Sequence, residues 1–322
     1  MVIIFYITDF TLYLASFCII VLLNTMLPGL HLFCPISKGL MKFFFTTILS
    51  FRQIRFVLIL TFFGVLPCIS NAGGEYKSTG ARSSALGTAS VTLTDIWSAF
   101  NNQAGLAQLT SPELAFSYET KFLMKELASK AACFAYPYKN NVFNVNFSQF
   151  GFSSYNDNKI SLGYSRKFGK YLSIGVQLNY GIIQFDEQFE SLSCITFEAG
   201  AIYKLNRNLS LGVHVYNPNN SYLRESSERI PAIIRMGATY MLHKDLMLTT
   251  EIEKNVYNKA EFKSGIEYKC GNTTFLRAGV STGKSPVHFG VGFSFRKIIL
   301  ELSSEYHQLL GFSPQSSISI RF

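Results

Sequence analysis

Apolar and polar residues alternate one by one through most of the chain beyond residue 110. Leu172, Ile174, Val176, Leu178 and Tyr180 interleave with Ser173, Gly175, Gln177 and Asn179. Leu209, Leu211, Val213 and Val215 interleave with Ser210, Gly212 and His214. Phe289, Val291, Phe293 and Phe295 do so with Gly290, Gly292 and Ser294, and Ile318, Ile320 and Phe322 with Ser317, Ser319 and Arg321. A period of two marks strands whose faces meet different surroundings. The pattern predicts fourteen strands, near 112–120, 131–138, 142–150, 159–167, 171–183, 192–204, 208–216, 231–242, 245–254, 260–269, 273–281, 286–295, 298–306 and 315–322. Inside them a glycine recurs between two residues, mostly apolar, at Gly163, Gly175, Gly200, Gly212, Gly237, Gly265, Gly279 and Gly290. Each falls on the less apolar face. Glycine weakens a strand, so a row of them on one face implies curvature or another segment packed closely against it.

The predicted connections alternate in length. Short ones fall at 139–141, 168–170, 204–207, 243–244, 270–272 and 296–297; longer ones at 121–130, 151–158, 186–191, 218–229, 255–259, 281–284 and 307–314. Outer-membrane barrels combine an even strand number, short periplasmic turns and longer outer loops. An open sheet edge does not survive in lipid, so the sheet must close. The expected fold is therefore all-β, a closed antiparallel transmembrane β-barrel of about 14 strands over 112–322. Tyr118, Phe150, Tyr164, Tyr171 and Tyr268 lie near strand ends and are expected to form the interfacial aromatic girdles.

Composition changes this picture at the N-terminus. Of the whole chain 48% is hydrophobic and 15% charged, below the roughly 25% charged of a soluble domain. Residues 1–72 carry only Asp9, Lys38, Lys42, Arg52 and Arg55. Beyond them stand 25 basic and 19 acidic residues, a net of +6. Within this leader, Arg52 and Arg55, the apolar run Phe56–Leu66 and Ser70-Asn71-Ala72 have the order of a secretory signal peptide over 41–72, starting from Met41. The earlier run, Val2–Leu23, has two readings: a membrane anchor, or a stretch upstream of a true start at Met41. Either reading puts the exported chain at Gly73–Phe322 and sends it to the bacterial outer membrane.

The polar strand face is the lumen. It carries Asn144, Asn146, Gln177, Asn179, His214 and the charged candidates Glu198, Arg235, Glu251, Glu253, Lys263, Glu267, Arg277 and Glu301. Mixed signs on adjacent strands suit a salt-bridge ladder that fills the barrel; a polar path or ligand site is the other reading. The five histidines show no metal-ligand spacing, and no nucleophile or phosphate-loop motif is complete; Ser281–Ser285 reads as a loop. His307 near Ser303 and Ser304 is the one pairing worth checking for lipid chemistry. Cys133, Cys194 and Cys270 read as isolated strand or turn residues, and the basic residues form no stripe. The chain is expected to be no enzyme, to need no cofactor or metal and to bind no nucleic acid. Its expected partner is outer-membrane lipid.

The segment before the first strand is the most specific. It reads Gly80-Ala81-Arg82, then Leu86-Gly87-Thr88-Ala89, Asp95-Ile96-Trp97 and Asn101-Asn102-Gln103-Ala104-Gly105-Leu106-Ala107. This resembles the opening of the FadL-like PorV/PorQ outer-membrane proteins of the Bacteroidota. Ile230-Pro231 followed by Arg235–Tyr240 is similar to a Pro-led strand of that family. Gln103 stands where the family's Asn-Pro-Ala-Gly-Leu element has Pro. The resemblance implies a fourteen-stranded barrel with residues 73–111 folded inward as a plug. Arg82, Asp95 and Asn101 are then plug candidates, the first two anchoring it to lumen charges. It also implies a non-enzymatic transport or type IX secretion-associated role, with secretion-machinery or secreted proteins as partners. The alternative within the family is uptake of a hydrophobic small molecule.

Overall fold

The structure, a computed structural model, describes residues 78–322 apart from 153–154, 186–190 and 224–228. The leader, with its signal-peptide and anchor readings, and residues 73–77 lie outside the described residues. Fourteen strands are seen among the described residues: β1 (Glu113–Thr120), β2 (Ala128–Tyr138), β3 (Asn141–Phe152), β4 (Tyr155–Phe168), β5 (Leu172–Phe185), β6 (Leu192–Lys204), β7 (Leu209–Tyr216), β8 (Ile233–His243), β9 (Leu246–Asn255), β10 (Glu261–Cys270), β11 (Thr274–Ser281), β12 (Val287–Phe295), β13 (Ile298–His307) and β14 (Gly311–Arg321). Each pairs antiparallel with its chain neighbours, and β1 also pairs with β14, so the sheet closes into a barrel.

The alternation sorts side chains by face. Val145, Leu162, Leu178 and Phe197 lie side by side across β3–β6 and all point outward, exposed. One residue along each strand, Asn146, Ser161, Asn179 and Thr196 form the matching inward row, all buried. The outward apolar face continues through Met236, Ile252, Ile266, Leu276, Phe289 and Leu300. A continuous apolar belt around a closed barrel is matched by lipid, not by water. Tyr118, Tyr171 and Tyr268 are exposed on it. Phe150 is a correction: it sits across from Asp157 on the inward parity, beside Tyr155, and belongs to no outer girdle.

Two predicted loops are largely strand. β4 begins at Tyr155 within the expected loop 151–158, and β14 begins at Gly311 within 307–314. Strand pairing continues past the bilayer, where the outer face no longer needs apolar residues, so the alternation signal fades before the hydrogen bonds do. The long and short connections therefore differ less than expected. β8 starts at Ile233, after Pro231, which has no N–H to give a ladder.

Residues 78–111 form an inner segment: a short helix α1 (Ala81–Ala85), a second, α2 (Ser98–Asn101), and a 3-10 turn (Gln103–Gln108) leading toward β1. Ala85, Leu86, Ile96, Trp97, Phe100 and Leu106 in it are buried. Most glycines of the inward row lie where it passes, while Gly163 instead makes room for the Asn144 side chain of the next strand. A Cβ added to Gly175, Gly200, Gly212, Gly265, Gly279 or Gly290 would come within 2.7 Å of Gln103, Asn102, Val91, Leu86, Gly87 or Ala85 respectively. At Gly279 the obstacle is backbone, Gly87 N at 2.1 Å, so a side chain there has nowhere to go.

Candidate functional site

The lumen is the site, and the inner segment meets it through three kinds of wall. On β1–β3 the contact is apolar. Ile96, Trp97, Phe100 and Leu106 pack on Ala115, Cys133, Ala135 and Val142. Small wall residues leave room for the Trp97 and Phe100 rings, which stack with centroids 6.3 Å apart.

On β3–β6 the wall is a ladder of amides. Asn146 Nδ2 donates to the Ala99 carbonyl at 2.8 Å and to Gln177 Oε1 at 2.8 Å. Gln177 Nε2 donates to Asn179 Oδ1 at 2.9 Å, and Asn179 Nδ2 to Glu198 Oε1 at 2.8 Å. Ser165 Oγ donates to the Gln103 carbonyl at 2.6 Å. Buried amides are tolerated because they are paired.

On β6–β13 the wall is charged, and the eleven candidate site residues fall into two networks. In the first, the Arg82 guanidinium grips Glu267 with two bonds, Nε to Oε2 at 2.9 Å and Nη2 to Oε1 at 2.8 Å, and reaches Asp95 at 3.0 Å. Arg277 bonds Glu267 at 2.6 Å and Glu301 at 2.9 Å. The fork geometry is the strong form of an arginine–carboxylate pair. Burial works against the Arg82 charge, but Glu267 and Asp95 outweigh it and hold its pKa above the ordinary value. Asp95 bonds within the segment, to Arg82 and to the Trp97 N–H at 2.9 Å, rather than directly to the wall.

The second network centres on Arg235, fully buried. Its Nη2 donates to the Asn101 carbonyl and meets His214 Nδ1 at 3.0 Å, and its Nη1 lies 3.6 Å from Glu251. Glu251 Oε2 accepts the Ser90 and Val91 N–H groups at 2.7 and 2.8 Å. Lys263 is 2.6 Å from Glu253 and 4.0 Å from Glu251. Glu198 meets His214 Nε2 at 3.1 Å and accepts from Gln103 Nε2 at 2.8 Å. The Asn101 side chain ties the segment to itself, accepting from Ser78 Oγ and Thr79 N at 3.0 Å. Sequence reasoning missed Gln103 and His214 as members. Gln103 was visible only as a departure from a motif, and His214 only as an inward position.

A cavity of about 310 Å³ lies at the end of the barrel where the β1–β2, β9–β10, β11–β12 and β13–β14 connections meet. Ser78 and Thr88 of the segment border it, with Lys121, Phe122, Lys259, Lys263, Lys284, Glu253 and Glu305 among its walls. His307, the proposed partner of Ser303 and Ser304, instead packs on the Phe122 ring at 5.5 Å, and its Nδ1 accepts from the Leu309 and Leu310 N–H groups. Among the described residues no group of three or more His, Cys, Asp or Glu is placed to hold a metal ion. Cys133, Cys194 and Cys270 are unpaired thiols.

No family model matches this chain, and no curated protein matches it. Solved structures do. The Ralstonia pickettii toluene transporter TbuX superposes with a TM-score of 0.60 at 11% identity, covering 77% of this chain and 99% of that chain. The Pseudomonas putida toluene transporter TodX gives 0.55 at 14% identity, with 77% and 99% covered. A Pseudomonas aeruginosa FadL homologue gives 0.51 at 13% identity, with the same coverage, 77% and 99%. The share covered exceeds what Glu113–Arg321 occupies, so the likeness extends past the barrel wall. At these identities the likeness is one of fold. This chain has the FadL-like fourteen-stranded barrel fold of bacterial outer-membrane channels.

Proposed function

We propose that this protein is an outer-membrane channel for small hydrophobic compounds, with the inner segment as its plug. The observation that carries this reading is a closed barrel of FadL-like fold whose lumen is occupied by the chain's own residues 78–111, held by both polar and apolar contacts. TbuX and TodX are toluene transporters, and we assign the same broad substrate class here. Cells producing the barrel should take up toluene faster than cells without it. Uptake rates that do not differ, with folded protein shown in the outer membrane, would reject the assignment.

A second reading is a PorV/PorQ-type role in type IX secretion, with a secretion component or a secreted protein as partner. It is favoured by a lumen whose polar groups are engaged with the segment and by a charged, not greasy, outer cavity. Loss of the gene should then change the secreted and surface proteomes while toluene uptake stays the same.

A further inference from the structure

The two ends of the barrel differ in charge. At the end with the short turns, Lys139, Lys170, Arg207, Lys244, Arg296 and Lys297 are all exposed. The one acidic residue within those turns is Asp245, half-buried beside His243 and Lys244. At the opposite end the signs are mixed, with Glu261, Lys284 and Glu305 among them. Short turns face the periplasm in barrels of this kind. The basic rim therefore meets the inner leaflet of the outer membrane.

The β2–β5 sector concentrates this charge. From Leu127 to Phe185 the only acidic residue is Asp157, which lies near the far end of β4. Glu113 on the neighbouring β1 is buried and taken by Arg321. Arg166 stands four residues along β4 from Leu162 and so on the same outward face. It is exposed, and its partners across the sheet are Asn141 and Ile174. Ile174 and Phe168, also outward, are exposed and apolar. The Arg166 guanidinium lies 5.3 Å from the Phe168 ring centroid. In the adjoining β2–β3 turn, Lys139 Nζ lies 5.3 Å from the Tyr138 ring centroid. The Lys167 N–H bonds the Asn140 carbonyl at 3.0 Å, which ties that turn to the foot of β4. Tyr138, Phe168 and Tyr171 are exposed beside these cations. Interfacial aromatics sit at headgroup level, which puts the cations at the depth of the phosphates. A long basic side chain is tolerated on the lipid face near the interface, where its stem lies on apolar surface and its head reaches polar groups. A periplasmic protein would meet the turn tips but not Arg166, whose surroundings are bilayer.

We propose that the β2–β5 rim is a binding site for an anionic phospholipid of the inner leaflet, with the Arg166 guanidinium gripping the phosphate and Lys139 and Lys170 adding attraction from the turns. Arginine offers parallel N–H donors that match phosphate oxygens. A headgroup of net negative charge, phosphatidylglycerol or cardiolipin, is preferred to phosphatidylethanolamine. The zwitterion brings its own ammonium into a sector with no free carboxylate to pair it. The inference does not depend on the transport reading.

The test uses the full chain in nanodiscs of phosphatidylethanolamine and phosphatidylglycerol in equal shares, with native mass spectrometry of the released protein reading which lipid stays bound. Phosphatidylglycerol should be retained in preference. Arg166→Gln should lower that preference about tenfold, since a hydrogen bond between charged groups is lost. Arg166→Lys, which keeps the charge without the fork, should keep part of it. Lys254→Gln removes an exposed outward cation near the opposite end of β9 and should leave the preference unchanged. Heat-modified migration checks that each variant folds. Equal retention of the two lipids overturns the proposal and leaves the rim to an acidic protein. A preference that survives Arg166→Gln places the lipid elsewhere and overturns it too. So does an equal loss in Lys254→Gln, which would mean diffuse attraction to net charge.

Discussion

The β1–β3 wall and the β8–β13 wall hold the same inner segment by opposite means. On the first, Trp97, Phe100 and Leu106 bury their surfaces against Ala115, Cys133, Ala135 and Val142. Apolar burial is non-directional and scales with area, about 25 cal/mol per Å². On the second, Arg82 and the Ser90 and Val91 N–H groups are held by Glu267 and Glu251. Those bonds are directional, and their net stabilisation is small because the charges had to leave water. The apolar wall thus resists any separation in proportion to the area exposed. The charged wall specifies one position and loses its grip when a competing charge or water arrives.

Four substitutions break or sharpen this contrast, taken from the largest expected effect to the smallest. Arg235→Leu removes a fully buried cation from between the Asn101 carbonyl, His214 and Glu251. It should cost about 3–5 kcal/mol, read as a lower urea midpoint of the lipid-embedded barrel. Trp97→Leu on the apolar wall should cost about 2–4 kcal/mol through lost area and a partly filled cavity. Gly279→Ala forces a Cβ onto the Gly87 backbone, and overpacking of about 1–3 kcal/mol should displace the segment. Faster hydrogen exchange at Leu86 and Gly87, with the strand amides still protected, is the expected signature. Arg321→Ala removes a half-exposed guanidinium from the buried carboxylate of Glu113 and should cost about 1–2 kcal/mol. A loss as large as that of Arg235→Leu would remove the distinction between buried and rim charges.

Much of the wall was legible in the chain itself, for a simple reason. A strand has a period of two, so each inward position is known once one is known. Glu251, Glu253, Glu267 and Arg277 could be placed on the lumen face without coordinates. The glycine row announced a close neighbour, because only absent side chains admit a backbone that near. Strand ends were less legible. Beyond the bilayer the outward face of β3 and β4 turns polar, at Gln149, Asn156 and Asn158, while pairing continues to Phe152 and Tyr155.

Which charge meets which was not legible. Glu267 serves both Arg82 of the segment and Arg277 of the next strand, which depends on how deep α1 sits in the lumen. Asp95 bonds Arg82 within its own segment for the same reason. His288 and Glu305 face each other only through the β12–β13 register.

Period and composition by themselves therefore determined a half-apolar chain that must close in lipid, and which residues face inward. Both follow from local rules, alternation at each strand and the cost of an unpaired backbone in a bilayer. The tertiary structure alone decided which inward groups meet and where a cavity remains, since these rest on distances between residues far apart in the chain.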